Sequence, residues 1–207
     1  MTHNTTTNPR LEFFDSIADQ WDGWHDLADL SRNLNAVLDK LSIDPSATVV
    51  DAGCGTGNLT VSLLNGTLGP SGRVVAVDIS AKMLDLARNK VTDPRVAWHC
   101  AAAEQLPLDD GTADHVICFS AWPHFHDAAA VTREFRRVLR TGGSLHILHL
   151  ISRSQVNRIH AQAHPSVHHD ILAPASEIAK LLETHGFRVI NMTDDDRCYW
   201  ITAHKLG

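Results

Sequence analysis

Thr48-Val-Val-Asp51-Ala-Gly53-Cys54-Gly55-Thr56-Gly57-Asn58 joins a short apolar run to an acid and then to three glycines at every second position. The apolar run reads as a buried strand. The glycines let the backbone turn tightly and approach a ligand with no Cβ in the way. Leu59–Leu64 then reads as a helix, whose free N–H groups favour polar or anionic parts of a ligand. A dinucleotide fingerprint needs G-x-G-x-x-G. Here the third position after Gly55 is Asn58, and the glycine falls one earlier, at Gly57. That spacing weakens a nicotinamide-dinucleotide reading.

Outward from this turn, Arg73–Asp78 (RVVAVD) is a second buried strand that ends in an acid. A carboxylate there can accept two hydrogen bonds from ribose hydroxyls. Taken alone, Asp78 could equally be a helix-capping or surface acid. Behind a glycine loop it reads as nucleoside binding, with Ile79 and Met83 placed to sandwich an adenine. Ser80 can cap a helix carrying Met83, Leu84 and Ala87 on one face. Val96–Cys100, Asp114–Phe119 and Ser144–Leu150 read as further strands. Phe13–Trp21, Leu27–Leu41, a helix capped by Asp127 and stopped by Gly142-Gly143, Ser152–Ala163 and a helix starting at Pro174 read as helical. Phe187–Met192 and Tyr199–Ala203 form a terminal hairpin around Asp194-Asp195-Asp196. Strands alternating with helices give an α/β, mainly parallel sheet, and the hairpin implies an antiparallel edge. In such sheets ligands bind at the carboxyl ends of the strands.

The chain has 207 residues, 43% of them hydrophobic, with a formal net charge of −6. That suits a single globular domain. We expect a polar tail at 1–10 and one domain at 11–207, with N-terminal helices at 11–42 and a substrate-side insertion at 151–174. Without any basic run, the charge argues against nucleic acid or an anionic membrane as partner. No apolar stretch is long enough to span a membrane. Four cysteines without a C-x-x-C pair favour a reducing, cytoplasmic setting.

At this point VVDAGCGTGNLT, VVAVDIS, AAAEQLPLDDGTADHVICF and RVLRTGGSLHI together resemble the class I S-adenosylmethionine-dependent methyltransferases, over roughly residues 13–204. The resemblance implies a Rossmann-like seven-stranded sheet of order 3-2-1-4-5-7-6 with strand 7 antiparallel. It implies S-adenosyl-L-methionine as cofactor. Gly53, Gly55 and Gly57 would lie against its methionine and ribose part, and Asp51 would organise the loop and the cofactor amino group. Asp78 would take the ribose hydroxyls, Ile79 and Met83 would pack on the adenine, and Ala103 and Glu104 would lie at its edge. Many relatives carry an Asp where Ala102 stands, so that side-chain contact to the adenine is missing. Ser120 would face the methionine end. Phe13–Trp24 resembles the aromatic lid helix of small-molecule methyltransferases, with Trp21 as a contact. The lid and the segment after strand four are most like the group containing quinone-ring C-methyltransferases. The Asn/Asp-Pro-Pro-Tyr-type motif of base methylation is absent.

The composition has one anomaly: 14 histidines, eight of them between residues 124 and 169. His124, His126 and His149 follow strands four and five, where an acceptor must lie. His146, three residues before His149, falls on the opposite face and reads as a packed histidine. His124 or His149 could serve as a general base for the acceptor. His160 and His164, spaced i, i+4, could bind a divalent metal, and in the sharpest form of this expectation His124, His126, His149 and one of His160, His164 or His168 converge on one pocket. Each histidine alone could also be structural. The leading expectation is methyl transfer to a small molecule. Two others stand beside it: the same fold turned to another cofactor-dependent reaction, and a non-catalytic metal or metal-cofactor binder that retains a nucleoside pocket. The sequence leaves the oligomeric state open.

Overall fold

Val49 and Val50 point to opposite sides of one strand, and both are fully buried. Alternation of this kind needs cover on both faces, which helices supply. The computed structural model describes residues 8–207. The expectation of a tail at 1–7, and His3 with it, lies outside the described residues.

Seven strands, β1 (Thr48–Ala52), β2 (Arg73–Asp78), β3 (Val96–Cys100), β4 (Ala113–Phe119), β5 (Leu139–His149), β6 (Phe187–Asp194) and β7 (Tyr199–Lys205), form one sheet. Its order is β3-β2-β1-β4-β5-β7-β6. Strands β1 to β5 pair in parallel, and β7 runs antiparallel to both β5 and β6. The order and the antiparallel edge are those the resemblance implied.

On one face, α2 (Leu27–Leu38), α3 (Asn58–Ser62) and α4 (Ala81–Lys90) bury Leu34, Leu38, Leu59 and Leu84 against Val49, Val74 and Ile117. On the other, α5 (Ala128–Val138) and α7 (Ala175–Thr184) bury Phe135, Val138, Ile178 and Leu182 against Val50, Val116 and Ile147. Helices α1 (Pro9–Trp21) and α6 (Arg153–Gln162) lie at the carboxyl edge.

Three of the boundaries that differ from the sequence reading bear on the site. Helix α1 begins at Pro9, so Pro9 and Arg10 belong to it and not to a tail. Asn8 caps it through Arg10 N, and proline at N1 lacks only a hydrogen that would have no helical partner. Helix α5 stops at Val138, before Gly142-Gly143. Leu139 opens β5 instead, beside Ala113, where the ladder shifts register. Helix α6 stops at Gln162, so His160 and His164 do not share a helical face; His164 caps the short turn Pro165–Val167.

Candidate functional site

Strand β1 delivers Asp51, and the chain then turns at the glycines. A Cβ on Gly53 (φ 75°) would stand 2.5 Å from the Ala121 Cβ, so the loop reaches its place only with glycine there. Gly55 (φ 50°) differs: a Cβ there would meet nothing within 4 Å. Its open side belongs to a cavity of about 630 Å³ along the carboxyl edge of the sheet. Gly57 does not line that cavity. Its Cβ would press on Ala87 at 3.2 Å and Trp98 at 3.3 Å, so it serves helix packing.

Asp78 closes β2 at the cavity wall. Its Oδ2 accepts from Gly55 N at 2.8 Å and its Oδ1 from Ser80 N at 2.9 Å. A carboxylate has about four acceptor positions, so two remain for a ligand. Burial raises the Asp78 pKa. Burial likewise pushes Asp51 up to about 7, against a 2.7 Å hydrogen bond donated by Thr60. Ile79, Met83, Ala103, Glu104, Ser120 and Trp21 all line the same cavity. Ser120 sits in the left-handed region (φ 55°), and its N–H donates to Leu148 O at 2.8 Å.

Helix α1 lines the cavity through Arg10, Phe14 and Trp21. Asp15 accepts from the Ser80 hydroxyl at 2.5 Å, and Asp19 pairs with Lys82 at 2.7 Å. Asp22 accepts from Thr56 at 2.7 Å, Asn58 at 3.1 Å and Lys90 at 2.6 Å. Burial works against the Asp22 charge, but these donors prevail and hold its carboxyl below the usual range.

The far end of the cavity is built by histidines. His124, in the turn after β4, His149, at the end of β5, and His160, on α6, line it together. The rings of His124 and His160 lie 4.8 Å apart. His149 is 3% exposed and, among the described residues, makes no side-chain hydrogen bond and has a buried Nε2 with no partner. Burial drives its pKa down to about 3, and neighbouring His124 and His160 add to the shift. It is therefore neutral. An unmet buried nitrogen costs about 1–3 kcal/mol, which is a reason to expect a polar ligand beside it.

The metal expectation does not fit. Among the described residues, no group of three or more His, Cys, Asp or Glu could hold a metal ion. His126 lies exposed at the rim. His164 binds the Ser166 hydroxyl at 3.0 Å, and His168 Nε2 donates to Ala163 O at 2.6 Å, both outside the cavity lining. His160 Nδ1 is spent on the Asp170 carbonyl at 2.5 Å.

Two site residues escaped the sequence reading. Asp170 is buried behind His124, with its Oδ2 2.8 Å from His124 Nδ1, and Arg10 grips both of its oxygens. Arg10 stood in a stretch read as tail. Asp170 follows His168-His169 with no periodicity to mark it.

Residues 49–143 match the family described as "Methyltransferase domain". That match takes in a little under half of the chain. The chain is 36% identical over 144 residues to the ubiquinone/menaquinone biosynthesis C-methyltransferase of Hahella chejuensis, covering 65% of this chain and 57% of that protein. It is 29% identical over 136 residues to the demethylmenaquinone methyltransferase of Lysinibacillus sphaericus, covering 64% and 58%. The chain thus spans a little over half the length of both relatives. In fold it is similar to a SAM-dependent methyltransferase from Aquifex aeolicus, with a TM-score of 0.75 at 21% identity over 93% of this chain and 98% of that one.

Proposed function

We propose that the chain transfers a methyl group from S-adenosylmethionine to a small-molecule acceptor. The observation that carries this reading is the continuity of the cavity. Gly55 and Asp78 stand at one end, His124 and His149 at the other, and α1 lines the same cavity. The residues fit the cofactor: the open side of Gly55 cradles it, and Asp78 retains acceptor positions for ribose hydroxyls. Ile79 and Met83 offer apolar faces to the adenine, and Asp51 holds the amino group.

S-adenosylmethionine supplies an electrophilic methyl carbon on a sulfonium. Displacement at that carbon asks the protein for alignment and exclusion of water. The acceptor end is lined by Phe14 and Phe125 besides the histidines, which suits a flat, partly apolar acceptor. The names of the quinone-methyltransferase relatives favour a ring compound of this kind. Four free cysteines support a reducing, cytoplasmic compartment.

Calorimetric titration of the wild type with S-adenosylmethionine and S-adenosylhomocysteine tests the reading. Micromolar binding is expected, weakened about 30-fold by Asp78→Ala, which is about 2 kcal/mol. A wild type that binds neither ligand sinks it.

A further inference from the structure

Asp170 is remote from α1 in sequence, yet Arg10 of α1 donates to it from Nε at 2.9 and 3.0 Å and from a second nitrogen at 2.5 Å. The Asp170 side chain is 0% exposed. Burial opposes its charge, but hydrogen bonds from His124 and Arg10 outweigh that and hold its carboxyl below the ordinary range. It is ionised and can only accept, so His124 Nδ1 carries the hydrogen of the 2.8 Å contact. In the neutral form of the ring, Nε2 is then the bare nitrogen, on a residue that lines the cavity. Phe14, also on α1, packs edge-on against the same ring at 4.9 Å.

We propose that Asp170 is a positioning residue that fixes His124 as the proton acceptor for a hydroxyl-bearing acceptor of phenol acidity, and that Arg10 makes this alignment conditional on α1 being seated. The inference rests on the methyl-transfer reading. In the step, the acceptor O–H bond breaks and its proton passes to His124 Nε2. The freed oxygen pair forms the new O–C bond. The C–S bond breaks with its electron pair on sulfur, leaving a neutral thioether. Asp170 balances the charge that His124 gains. Neutral His149, with its unpartnered Nε2, is the nearby group able to hydrogen-bond the acceptor oxygen.

The charged and titratable groups facing His124 are Arg10 from α1, His149 from β5, His160 from α6 and Asp170 itself. Two measurements on the full chain, loaded with S-adenosylhomocysteine, test the proposal without turnover. In long-range proton–nitrogen spectra of histidine-labelled protein, assigned with His124→Gln, His124 should carry its proton on Nδ1. Asp170→Asn should abolish that single tautomer, and Arg10→Gln, a milder change at the helix start, should average it. In the second, 4-nitrophenol is added below its own ionisation range. The wild type should raise the visible phenolate signal at least about twofold over Asp170→Asn or His124→Gln.

A His124 proton on Nε2, or a spectrum unchanged by Asp170→Asn, overturns the positioning role. A spectrum unchanged by Arg10→Gln overturns the coupling to α1. Absence of extra phenolate in the wild type overturns the acceptor class. Failure of the wild type to bind S-adenosylhomocysteine instead overturns the methyl-transfer reading, so the two failures are distinct.

Discussion

His115 Nδ1 and His146 Nε2 lie 3.1 Å apart across β4 and β5, and His146 Nδ1 lies 3.0 Å from the Thr202 hydroxyl. His146 stands on the sheet face opposite His149, as period two requires. Burial drives its pKa down to about 3, with repulsion from His115 and His204 added. The unfolded chain takes up a proton near the ordinary histidine value of about 6.5, whereas the folded chain does not until about 3. Stability is therefore lost as pH falls through that window, by up to about 1.4 kcal/mol per pH unit for this group. Asp51 acts with the opposite sign, but equally in any His146 variant. The stability advantage of wild type over His146→Asn, from urea unfolding, should shrink steadily between pH 6.5 and 4. Parallel curves would refute the assignment.

Gly53 admits no side chain, because a Cβ would stand 2.5 Å from the Ala121 Cβ. Gly53→Ala should cost about 1–3 kcal/mol from overpacking and the positive φ. Adding Ala121→Gly should return part of it. Chemical denaturation of the single and double variants decides this, and an unrecovered double variant would leave the φ alone responsible.

Asp22 ties the end of α1 to the glycine loop through Thr56, Asn58 and Lys90. Asp22→Ala should weaken S-adenosylhomocysteine binding about fivefold, roughly 1 kcal/mol. Isothermal titration reads the change, and an unchanged affinity would mean that α1 does not cover the ligand.

Asp51 ionises near pH 7 in the folded chain. If its carboxylate holds the cofactor amino group, affinity for S-adenosylmethionine should rise between pH 6 and 8, by up to roughly tenfold. Asp51→Asn should flatten that rise. The same slope in both proteins would remove Asp51 from the binding set.

The strands were the legible part of this chain. Arg73–Asp78 and Val96–Cys100 have the bounds their residue patterns predict, the first as a largely buried apolar run and the second as a half-exposed edge strand. The nucleoside end was legible for a related reason: glycines and a strand-terminal acid act through local backbone geometry. Leu139–Gly143 misled because pairing with β4 outcompeted the glycine stop. The acceptor end was only half visible. Its histidines stand out by type, but what orients them is Asp170, which is buried by tertiary packing from an unpatterned connection. Arg10 reaches that acid from a helix whose start is set by one Asn–Pro pair at its cap.

Three ion pairs tie α1 and its C-terminal cap to the rest of the molecule: Arg10 to Asp170, Asp19 to Lys82, Asp22 to Lys90. The Asp19–Lys82 contact is the most open to solvent, the Arg10–Asp170 contact the least. At 0.1 M salt, exposed charges are screened beyond about 10 Å, and at 1 M beyond about 3 Å. Buried pairs are screened much less than exposed ones, so added salt should weaken the Asp19–Lys82 end of α1 before the Arg10–Asp170 end.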